Sequence, residues 1–96
     1  MLASFDKCMV GVIRFAGETP WERHPGDELL YVVEGAVDVT VLSEAGRRQA
    51  TVGQGEIFVV PRHCWHRQQA QRSVSLMFVT PADGTDASRA EDPRRA

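Results

Sequence analysis

Ninety-six residues are enough for one hydrophobic core and too few for two. With 43% apolar and 25% charged residues, the composition is that of an ordinary soluble globular domain. A formal net charge of −2 and the lack of a basic stripe argue against nucleic acid or an anionic membrane as partner, since both need a positive face.

No apolar run approaches the roughly 18 residues that cross a bilayer. The first residues, M-L-A-S-F-D-K-C, show no charged leader followed by an apolar stretch, so a cytoplasmic location is expected. In that compartment Cys8 and Cys64 are expected as free thiols.

Met9 to Phe15 is a β-prone run with Gly11 inside it, and Gly17 to Pro20 is turn-like. Glu28 to Val33 is apolar and β-branched, closed by Glu34-Gly35. Ala36 to Leu42 alternates Val37, Val39 and Val41 against Asp38 and Thr40, the pattern of a half-buried antiparallel strand. Further strands are predicted over Arg47 to Val52, Glu56 to Val60 and Ser73 to Thr80, with breaks at Ser43 to Gly46, Gly53 to Gly55 and Pro61. Strands at this spacing, with no competing helical period, predict an all-β sandwich or barrel. From Pro81 onward large apolar residues nearly vanish, which predicts one domain over residues 1–80 and a mobile, non-catalytic tail over 81–96.

The chemistry concentrates in Gly17 to Gly35, which contains Glu22, His24 and Glu28. In an extended segment, residues two and four apart share a face. A one-residue bulge at Pro25-Gly26 would move Glu28 to the other face. Two carboxylates turned into a barrel are costly unless paired, and a divalent cation neutralises both while imidazoles stay neutral. The competing reading leaves Glu22 and Glu28 at the rim, solvated or paired with Arg14, Arg23 or Arg67. His66 favours the metal, because it arrives from a second strand segment about forty residues later. His63 is expected in an exposed turn, Cys64 as a small buried hydrophobe, and Trp21, Trp65 and Tyr31 as wall or core residues.

At these two segments the chain resembles the cupin superfamily, small β-barrels of the jelly-roll type. The first cupin motif runs roughly G-x5-H-x-H-x3,4-E-x6-G. His24-x3-Glu28-x6-Gly35 fits its second half, Glu22 stands at the first histidine, and Gly17 lies one residue closer than the pattern asks. The second motif runs roughly G-x5-P-x-G-x2-H-x3-N. Gly55-x5-Pro61-x-His63-x2-His66 follows its spacing, with His63 at the turn glycine and Ala70 at the asparagine.

The resemblance implies a cupin-type jelly-roll barrel with one divalent metal held by His24, Glu28 and His66, and by Glu22 as a substituted fourth ligand. Two nitrogens and two oxygens suit Mn, Fe, Zn or Ni. It further implies a small-molecule ligand or substrate, metal-dependent oxygenase or isomerase chemistry, and a homodimer. The alternative is a non-catalytic binding or sensing cupin, its pocket lined by Leu30, Val32, Val39 and Phe58 with His24 and Glu28 orienting the guest.

Overall fold

A computed structural model describes residues 2–95. Among the described residues nine strands follow one another: β1 (Ala3–Phe5), β2 (Cys8–Glu18), β3 (Trp21–Arg23), β4 (Glu28–Glu34), β5 (Ala36–Ser43), β6 (Gly46–Gly53), β7 (Ile57–Val60), β8 (Trp65–Pro81) and β9 (Asp86–Ser88), with a 3₁₀ turn at Pro93–Arg95. All pairing is antiparallel. The architecture is a curled all-β barrel of the jelly-roll kind.

The seventeen-residue β8 organises it. Its first half pairs with β5 and β3, its second half with β2 and β4. One wall therefore runs β1-β2-β8-β4-β7 and the other β6-β5-β8-β3-β9. Register shifts between Phe15 and Gly17 and between Val32 and Glu34 absorb the curl where β8 changes walls. Strand parity survives this. His66, Gln68, Ala70, Val74, Leu76 and Thr80 of β8 are all buried, while Arg67, Gln69 and Gln71 lie on the other side.

The core fills one end of the barrel with Leu30, Val32, Val37, Val39, Val41, Val52, Val60, Ala70, Val74 and Leu76. These come from the alternating positions that the sequence pattern selects. At the other end, reached by the start of β4 and by both ends of β8, the inward positions turn polar: His24, Glu28, His66, Gln68 and Thr80. That change of character along the barrel axis creates the mouth.

The segment after Pro81, expected as a mobile, non-catalytic tail, contributes a further strand. β9 pairs with β3, matching Trp21 with Ser88 and Arg23 with Asp86, and the Arg23 guanidinium grips the Asp86 carboxylate at 2.8 Å. Its few apolar residues hid this, because backbone pairing and one ion pair leave no hydrophobic period to detect.

Candidate metal centre

Three distant segments converge at the mouth. Glu22, in β3, lies opposite His66 in β8. His24 follows β3, and its carbonyl accepts a 2.8 Å hydrogen bond from the His63 backbone N–H, which ties the turn before β8 to the ligand loop. Glu28 opens β4. The bend at Pro25–Gly26 interrupts the strand yet returns Glu28 to the same interior.

Glu28 meets both imidazoles there. Glu28 Oε1 lies 3.0 Å from His66 Nε2 and 3.6 Å from His24 Nε2. The two imidazole centroids are 5.2 Å apart. Glu22, His24 and His66 bring one ligand atom each to within 4.8 Å of one another. Two ligands on opposite sides of one ion at about 2.2 Å would stand about 4.4 Å apart, so the cluster is close to the span of a metal site and would draw in slightly around an ion. His66 and Glu28 are 1% and 5% exposed, whereas Glu22 is half-buried at the rim.

The donor set fits a divalent cation by another criterion. His24 Nδ1 and Thr85 Oγ1 are hydrogen-bonded at 2.9 Å, which fixes the ring and leaves Nε2 facing the cluster. Among the described residues, His24 Nε2 is buried without a hydrogen-bond partner. An orphaned polar atom of this kind costs about 1–3 kcal/mol, and a cation shared with Glu28 would engage it. Burial opposes ionisation of Glu28, but the His24 and His66 imidazoles against it outweigh that and hold its carboxyl down at about 2. Burial likewise opposes charge on His24, and the Glu28 and Glu22 carboxylates overcome it, raising the imidazole above its ordinary value.

A cavity of about 180 Å³ adjoins the cluster, reaching from Glu22, His24 and Glu28 past Leu30, Phe15 and Phe78. Val32 and Val39, expected to line a pocket, are instead sealed in the core, and Phe58 packs against that core. His63 is exposed and adopts φ 65°, the left-handed turn conformation for which the motif normally uses glycine. Cys64 packs against the core, and Trp21 is fully buried beneath the Arg67 guanidinium, 4.4 Å from its ring.

Four polar residues of the mouth escaped the sequence reading: Thr19, Gln68, Thr80 and Thr85. Gln68 was within reach, two residues beyond His66 on a strand whose even positions turn inward. Thr85 carried no local signal, since its place depends on β9 lying along β3.

Residues 11–80 match the family model described as "Cupin domain". An acireductone dioxygenase of Rhodopseudomonas palustris is 31% identical over 70 residues, covering 70% of this chain and 42% of that protein. Germin-like protein 1-1 of Oryza sativa subsp. japonica is 34% identical over 77 residues, covering 74% of this chain and 36% of its own length. The chain thus matches 42% or less of each of these curated relatives. A cupin-2 domain containing protein from Shewanella frigidimarina superposes with a TM-score of 0.72 at 23% identity, over 83% of this chain and 76% of that one.

Proposed function

The chain belongs to the cupin family, and from that premise we propose that it is a metal-dependent oxygenase acting on a small organic molecule. One divalent ion would be held at the barrel mouth by Glu22, His24, Glu28 and His66. The observation that carries the reading is that Glu22, His24 and His66 converge, with Glu28 against both imidazoles and His24 Nε2 buried without a hydrogen-bond partner among the described residues. Two imidazoles and two carboxylates suit Mn, Fe, Zn or Ni. The named activity of the Rhodopseudomonas palustris relative supports dioxygenase chemistry over other uses of the centre.

A bound ion of this class supplies Lewis acidity or an oxygen-activating centre. The chain's own residues supply the rest. Glu28 is ionised at neutral pH and ready to ligate, Thr85 orients His24, and the apolar wall of Leu30, Phe15 and Phe78 keeps bulk water from the reacting end of a bound molecule.

Elemental analysis of protein purified without a metal-affinity step tests this reading. The wild type should carry close to one ion per chain, and His66→Ala and Glu28→Gln should lose it. Wild-type protein holding no more metal than these variants would sink the proposal.

A second reading has its own observation. The His66 Nε2 to Glu28 Oε1 approach of 3.0 Å pairs these groups without an ion, which favours a non-catalytic binding cupin. Ligand-induced thermal stabilisation that survives chelation would select it. In either case we propose a homodimer, supported by the apolar outward face of β2, β8, β4 and β7.

A further inference from the structure

The barrel mouth contains two buried polar groups that the metal cluster does not use. Gln68 and Thr80, 9% and 3% exposed, line the same 180 Å³ cavity as Glu22, His24 and Glu28. Gln68 Oε1 and Thr80 Oγ1 are shut off from solvent and have no hydrogen-bond partner among the described residues. The Gln68 backbone is held firmly, its N–H donating to Thr19 Oγ1 at 3.0 Å and its carbonyl accepting from the Thr19 N–H at 2.9 Å. The side chain is therefore presented from a fixed stretch of β8, on the cavity that Thr80 also lines.

An acceptor without a donor, inside a cavity, selects for a guest that brings the donor. Phe15, Leu30, Leu76 and Phe78 give the cavity its apolar walls, while Thr19 and Thr85, which also line it, are already hydrogen-bonded to the Gln68 backbone and to His24. Roughly 150 Å³ of apolar cavity holds one benzene ring, so this space fits a guest of single-ring size. The Glu22 and Glu28 carboxylates on the same cavity count against an anionic guest.

The geometry points to a neutral, single-ring compound bearing a hydroxyl group, with that hydroxyl donating to Gln68 Oε1 and a second polar substituent reaching Thr80 Oγ1. This deepens the function proposed above by naming the ligand class of the same cavity. It does not require the ion to be present.

Phenol and anisole provide the test, since they share a ring and differ by a methyl group that removes the donor. Binding of each to the full chain is measured by titration calorimetry, in chelator-treated and in zinc-loaded protein. Phenol should bind about tenfold more tightly than anisole, the worth of one buried hydrogen bond. In Gln68→Leu that ratio should fall to about one, with anisole affinity kept. Hydroquinone should gain a further severalfold over phenol, a gain that Thr80→Val removes.

Equal binding of phenol and anisole by the wild type would overturn the inference without recourse to any variant. So would a ratio that persists in Gln68→Leu, or failure of both probes to bind. Discrimination by chelator-treated protein sustains the inference even if no zinc is taken up. Zinc uptake without discrimination refutes it and leaves the metal reading standing.

Discussion

The carboxyl of Glu28 is held at about 2, below its ordinary 4.5, because the two imidazoles beside it outweigh its burial. Its stabilising effect on the metal-free barrel is complete above pH 4.5 and is lost as pH falls from there toward 2. A depression of that size corresponds to about 3 kcal/mol. Urea unfolding at stepped pH should show this loss in the wild type, and Glu28→Gln should lack that part of the slope. His24 behaves oppositely. Its imidazole is raised above the ordinary 6.5, so its contribution is complete below that value and disappears as pH climbs through the folded one. A metal accepts only the neutral ring, so ion binding should expel a proton and tighten with rising pH. Calorimetry in two buffers of different ionisation enthalpy counts that proton.

The two imidazoles of the proposed metal centre are supported unequally by the strands around them. His24 Nδ1 is anchored on Thr85, brought there by β9 along β3, whereas His66 Nδ1 has no partner among the described residues. Thr85→Val keeps the shape and removes the anchor. Metal affinity should fall about 10–100-fold while the melting temperature stays near that of the wild type. Strand geometry also rests on Gly35, at φ 91° between β4 and β5, where an added Cβ would stand 2.8 Å from the Ser73 carbonyl oxygen. Gly35→Ala should cost about 1–3 kcal/mol in denaturant titration. The same change at Gly55, with a similar φ of 82° but open space around it, should cost less. Most of this was legible beforehand. Alternation in Val37, Val39 and Val41 locates β5, and the spacing of His24, Glu28 and His66 marks the mouth. β9 and Thr85 were illegible because register across strands, rather than composition, places them.

Over the whole molecule, the face turned away from the mouth is where polar residues run short. Val10, Val79, Leu29 and Val59 line up across four strands, and Val12, Met77, Tyr31 and Ile57 form the next rung. Leu30 and Val32 take the interior positions of β4, which leaves Leu29 and Tyr31 on the outside. Ile57, Val12 and Val59 are 60%, 52% and 50% exposed, and neither rung contains a charge. β1 extends the same wall and leaves Leu2 and Phe5 exposed at its edge. In the proposed homodimer a second copy would cover this apolar face. A two-fold axis would bring the same rungs together, so that both copies would bury what each alone exposes. Ile57→Lys places an ammonium in the middle of that contact, where it has no acceptor. Light scattering across a concentration series should then show a dimeric wild type and a monomeric variant. The Ile57 side chain points away from the mouth, so metal content should stay the same in both. A wild type that remains monomeric at high micromolar concentration would show that the face does not join two copies.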